Sequence, residues 1–286
     1  MRRARLLLPL FLWSALAMGQ PIASRPLTAA EAQALVGRAL ATELNAAQDT
    51  SHPMRYRLRK QSPRLTSTKE IIETREGFVA RLVAINDQPL SQSDDEKEQA
   101  RLDALLSDPS RQQHRKQSED QDAGIVLKLL RMLPQAFLYQ YAGTSAGVSG
   151  TGERFTFKPN PGFNPPDFET EALTSMTGEI LIDAAGERVA RLEGHLNQDT
   201  DYGWGILGKL NRGGWIVLEQ ASVGGGQWRI VHLKLQMTLR ILFKSKNIDT
   251  IEEMSQYVPV PAGIDYRQAI RLLRSGDGNA AHSGSR

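Results

Sequence analysis

From Trp228 the chain reads WRIVHLKLQMTLRILF, and every second position is apolar: Val231, Leu233, Leu235, Met237, Leu239, Ile241 and Phe243. His232, Lys234, Gln236, Thr238 and Arg240 fill the positions between. A period of two is the mark of a strand, which sends alternate side chains to opposite faces. About 15 residues at about 3.3 Å each give a strand of roughly 50 Å, where ordinary strands hold about 5–6 residues. A strand of that length, apolar on one face and basic on the other, predicts a large curved antiparallel sheet.

Other stretches support the sheet. Met54, Tyr56 and Leu58 alternate with basic residues, and KEIIET and FVARLVAI flank a turn at Arg75-Glu76-Gly77, where Gly supplies positive φ. FLYQYAG, Arg154–Lys158, Glu179–Asp183, Arg188–Leu196 and Trp215–Val223 read as further strands, with turns at Ala184-Ala185-Gly186 and Gly224-Gly225-Gly226. This spacing predicts an antiparallel meander.

Helical periodicity is confined to a few segments. Thr28 with Glu31 forms a capping box, and Ala32, Leu35, Val36, Ala39, Leu40 and Leu44 follow along one face up to Ala47. Asp94–Leu106 predicts a charged helix, Asp108–Asp122 a solvated link, and IVLKLLRML at Ile125–Leu133 a buried helix ending at Pro134. Ile251–Gln256 reads as a short helical turn. The segments are expected to form one domain over residues 20–270, with a charged insert at 91–124 and a disordered tail from 271 to 286.

Residues 1–19 read as a secretory signal: Arg2, Arg3 and Arg5, then an apolar run from Leu6 to Met18, then Ala17-Met18-Gly19 with cleavage before Gln20. The run is too short to span about 30 Å of hydrocarbon. The implied location is periplasmic or secreted, with membrane contact at most peripheral. The chain has no Cys, so disulfides, thiolate metal sites and a lipidated N-terminal Cys are excluded. The pI of 9.1 is a property of the leader. Three of the 35 Lys and Arg lie in it, which leaves 32 against 32 Asp and Glu. A neutral mature chain argues against nucleic acid as a partner.

Familiar catalytic and cofactor patterns are missing or incomplete. Gly203-Trp204-Gly205-Ile206-Leu207-Gly208 spells GxGxxG, but Gly213-Gly214 follows too soon for the helix that a dinucleotide site requires. None of His52, His114, His195, His232 and His282 has zinc-site spacing, although His195 and His232 lie on predicted strands that could bring them together. Asn197, Asp199 and Asp201 offer too few oxygens for a firm calcium site. Glu193 and Glu219 read first as cross-strand partners of Arg191 and Lys234. No cofactor and no metal are expected.

The apolar positions are the stronger lead. Val231, Leu233, Leu235, Met237, Leu239, Ile241 and Phe243, with Ile180, Ile182, Leu192, Ile216 and Leu218, form a face that must be covered. If short helices cover it incompletely, it becomes a trough suited to acyl chains. Trp204, Ile206, Leu207 and Leu210 in the Gly-rich connection would form its movable lip or dip into a membrane interface.

The strings GEILIDAAGERVARLEGHL, GWGILGKLNRGGWIVLEQ and QWRIVHLKLQMTLRILFKSK, with the leader, the N-terminal helix and the apolar helix, make the chain resemble the periplasmic lipoprotein-carrier (LolA/LolB-like) superfamily. The likeness is sharpest over Gly178–Lys246 and is one of pattern. It implies an α+β fold, an incomplete barrel of curved antiparallel sheet with helices on its concave side, and acylated cargo in the cavity between. The charged insert departs from a minimal carrier, and no gating arginine can be assigned among Arg57, Arg59, Arg191 and Arg240. The leading expectation is therefore a non-enzymatic carrier or sensor with lipid or acylated protein cargo. The alternatives are an interaction module of the cell envelope with a filled core and a protein partner, and a hydrolase whose carboxylates assemble only in space.

Overall fold

The computed structural model describes residues 26–148, 150–202, 208–241 and 244–275. The chain opens with helix α1 (Ala29–Gln48), then strands β1 (Met54–Gln61), β2 (Thr66–Ile72), β3 (Val79–Ile85) and the short β4 (Gln88–Pro89). Helices α2 (Gln92–Ser107) and α3 (Pro109–Ala136) follow, then β5 (Phe137–Gly147), β6 (Gly150–Pro159) and a single turn, α4 (Phe168–Glu171). The remainder is β7 (Met176–Asp183), β8 (Arg188–Leu196), β9 (Thr200–Tyr202), β10 (Gly208–Leu210), β11 (Trp215–Ser222), β12 (Trp228–Ile241), β13 (Lys244–Pro259) and α5 (Tyr266–Ser275).

The strands form one open sheet in the order β4-β3-β2-β1-β13-β12-β11-β8-β7-β6-β5, with β10 on β12 and β9 on β10. Every pairing is antiparallel. This is the expected α+β architecture, a curved antiparallel sheet that does not close, with helices packed on it. The turns are where the sequence puts them. Gly77 has φ +96°, and Gly224, Gly225 and Gly226 are all in the left-handed region that only glycine enters freely.

Helix α1 starts as its capping box requires. The Glu31 N–H donates to Thr28 Oγ1 at 3.3 Å and the Thr28 N–H to Glu31 Oε2 at 2.8 Å. Its apolar stripe, Ala32, Val36, Ala39 and Leu40, packs with Leu133 and Ala136 of α3 onto Phe137, Tyr139, Phe155, Phe157, Ile180 and Ile182. A second cluster forms at the other end of the sheet. There Ile72 and Val79 meet Leu102 and Leu105 of α2 and Ala269, Ile270 and Leu273 of α5.

Four sequence expectations are corrected. The tail expected to be disordered from residue 271 begins inside α5, which runs to Ser275 and buries Leu273 fully. Asp108–Asp122 is not a link but the first half of α3, a helix of 28 residues. Asp108 caps it through the Ser110 N–H at 3.1 Å, and Pro109 at its start lacks an N–H that the helix would leave unpaired anyway. Ile125–Leu133 is its second half and is not buried all round: Ile125 is 37% and Val126 53% exposed. Pro134 does not stop it, because only two residues remain before the end, and the Pro134 carbonyl accepts a bond from Gln33 Nε2 at 2.6 Å. Finally, Ile251–Gln256 belongs to β13, whose 16 residues lie between β12 and β1. Backbone pairing on both sides overrides the weak local pattern.

Candidate functional site

Helices pack closely on β5–β8 at one end of the sheet and on β2–β3 at the other, and hardly at all on the central strands β11–β13. Helix α3 reaches from one end to the other. Its second half sits in the first apolar cluster. Its first half is tied to the β2–β3 turn. Buried Gln112 donates to the carbonyls of Glu76 at 2.9 Å and Phe78 at 3.4 Å, and Glu119 Oε2 accepts the Phe78 N–H at 2.9 Å. Between α3, the end of α1 and the sheet lies a cavity of about 720 Å³.

Its apolar wall comes from Leu40 and Ala46 of α1, Val126, Leu130 and Leu133 of α3, and Ile180, Leu192, Leu218, Trp228 and Ile230 of the sheet. Helix α1 is fastened to the sheet beside this wall by one carboxylate. Glu43 accepts from Arg188 Nε at 2.8 Å, Arg188 Nη2 at 3.0 Å, the Val189 N–H at 2.9 Å and Gln220 Nε2 at 3.0 Å. The Arg188 guanidinium also lies 5.6 Å from the Trp228 ring centre. A buried pair saturated in this way holds its geometry firmly.

The cavity lining also includes Glu73 and Glu119. Burial pushes the Glu73 carboxyl above its ordinary range, against the opposing effects of the Met54 N–H and Arg229. Glu119 is raised for the same reason, against the Phe78 N–H. Burial also drives the Tyr56 and Tyr257 hydroxyls well above the usual phenol range, with Glu73 adding to both shifts. The two rings stack with centroids 5.1 Å apart.

At the mouth, His52 Nδ1 lies 2.8 Å from Ser51 Oγ and 3.0 Å from Asp49 Oδ2. Ser51 and His52 hydrogen bonds hold the Asp49 carboxyl down at about 2. This is not a nucleophile–base–acid relay, in which Ser and Asp engage different ring nitrogens. Among the described residues no group of three His, Cys, Asp or Glu is placed to hold a metal ion. Asp199 and Asp201 instead face Lys209, at 2.6 and 3.8 Å.

Of the apolar face singled out from sequence, Ile180, Leu192 and Leu218 line the cavity. Leu233 pairs with Leu218 and Leu235 with Ile216, so these four form one apolar row leading away from it. Met237 and Leu239 extend the row, with Leu239 opposite Leu210. All are partly exposed. Val231 leaves the row, because a bulge pairs Glu219 with His232 and Gln220 with Ile230. Ile230 therefore takes the wall position, as the extra residue of a bulge shifts the alternation. The side chain of Ile241, together with Trp204, Ile206, Leu207 and Phe243, lies outside the described residues.

His195 and His232 do not meet. His195 is opposite Trp215 and bonds Glu193 at 3.0 Å, while His232 is opposite Glu219. Arg191 does join Glu193 and Glu219, but Lys234 sits over the Trp215 ring at 4.4 Å. The α3 wall and the Glu43 and Glu73 groups were not found from sequence. Glu43 and Arg188 are 145 residues apart, and nothing local marks either as a partner.

No helix among the described residues is long and apolar enough to cross a membrane. No family model and no curated protein matches the chain. Among solved structures it is similar to one described as an outer membrane lipoprotein-sorting protein domain from Vibrio parahaemolyticus, at 9% identity and a TM-score of 0.33, over 86% of this chain and 100% of that one. A match of that quality carries no conclusion about descent or function.

Proposed function

We propose that this protein is a non-enzymatic carrier or sensor of the cell envelope that holds an acyl chain in the cavity beneath α3. The observation that supports this reading is the cavity itself: about 720 Å³, within the size of small-molecule sites, and walled mainly by aliphatic side chains. An acyl chain asks for apolar area rather than fixed polar partners, and its burial is worth about 25 cal/mol per Å² before association costs. The apolar row from Leu218 to Leu239 offers a path by which a longer chain lies along the sheet. The leader-like N-terminus supports periplasmic placement.

The test is native mass spectrometry of the mature protein, followed by titration with a fluorescent fatty acid. Co-purified acyl lipid or saturable binding is expected. Val126→Trp, at a half-exposed position on the cavity wall, should reduce binding at least tenfold while leaving the fold intact. A clean mass together with no fatty-acid binding sinks the proposal.

A further inference from the structure

We infer that the polar head this cavity selects is an ammonium group, seated against Glu73 and Glu119; the inference rests on the acyl-binding reading above. The cations of the cavity wall are engaged elsewhere. Arg188 is clamped on Glu43, Lys116 donates to both oxygens of Asp120 at 2.8 Å, and Arg75 is paired with Glu76 at 2.8 Å. Arg229 spends its donors on Gln227 and on the carbonyls of Trp228 and His52.

Glu73 and Glu119 differ from these groups. Each accepts one backbone N–H through Oε2, at 2.9 Å in both cases, and neither forms an ion pair with any described residue. Both side chains line the cavity and both are partly buried. Arg229 acts on Glu73, and Arg115 and Lys116 on Glu119, only at a distance.

Gly77 makes this arrangement possible. A Cβ there would stand 2.6 Å from Glu119 Oε2, and its φ of +96° disfavours other residues. A carboxylate drawn partly out of water regains its lost solvation from a cation, and an anionic head in the same place is repelled. A ligand whose chain lies along Leu130, Leu192 and Leu218 would carry its ammonium to Glu73.

The test compares two lysophospholipids with the same 16-carbon chain and phosphate, one ending in ethanolamine and one in glycerol. Each displaces the fluorescent fatty acid from the full mature protein. The ethanolamine lipid should bind about tenfold more tightly, equivalent to about 1.4 kcal/mol, and Glu73→Gln with Glu119→Gln should abolish that preference. Equal binding of both lipids by the parent protein overturns the ammonium assignment and leaves the acyl reading standing. Binding of neither lipid, nor of the fatty acid, removes the acyl reading itself. A preference that survives both substitutions also overturns the assignment. If the double variant does not fold, the comparison in the parent protein and in each single variant decides.

Discussion

Strands β7 and β12 are alike in sequence, each with aliphatic residues recurring along one face, yet their surroundings are opposite. Ile180 and Ile182 are sealed at 1% and 0% exposure beneath α1 and α3, whereas Leu233, Leu235, Met237 and Leu239 stay partly open. The difference lies in the helices. They dock on both ends of the sheet, and α3 reaches between the two without closing down on the middle. An apolar strand face thus states that something must cover it, not that the protein itself does so. In β7 the cover is the core, and in β12 the proposed cargo would supply it.

Substitutions can break or sharpen this contrast. The largest effect is expected in the sealed half. Phe155→Ala removes a fully buried ring and should cost about 3–5 kcal/mol, while Leu235→Ala should cost about 1 kcal/mol. Urea denaturation of the two variants measures both, and similar losses would mean that the central strands are as well packed as the ends.

Next is Glu43→Ala. Glu43 and Arg188 are 9% and 10% exposed at their side chains, so removing the carboxylate strands a buried guanidinium and should cost about 3 kcal/mol. The same variant should loosen α1 over the cavity, read as faster amide exchange in its last turns. Gly77→Ala should cost about 1–3 kcal/mol from strained φ and the Glu119 contact. It should also weaken ligand binding more than an equally destabilising change at Phe155.

The smallest effect is a pH dependence. The folded state raises the Glu73 carboxyl from 4.5, so it binds that proton more tightly than the unfolded chain does. Its contribution to stability is complete below 4.5 and is lost as pH rises through the raised value. Glu73→Gln should therefore be slightly more stable than the parent protein at neutral pH and equal to it in acid. Denaturation midpoints across that range decide, and an offset of opposite sign would mean that the carboxylate has a cation partner in the folded state.

The amino-acid sequence alone determined the elements whose reasons are local. The α1 capping box, the turns at Gly77 and Gly224–Gly226, the charged helix α2 and the period of two in β12 were legible because each depends on residues within a few positions. Antiparallel order followed from the short turns. Tertiary structure decided the rest. The first half of α3 looked like a link because it docks through Gln112 and Glu119 on backbone groups near Phe78, more than 30 residues away, rather than through an apolar stripe. Ile251–Gln256 of β13 looked like a helical turn because the reason for that segment to be a strand is the pair of neighbours it fits between. The wall position of Ile230 depends on a bulge, which is a property of two strands together. The cavity depends on where two helix layers stop, and that distance exists only once the sheet has curved and α3 has crossed it.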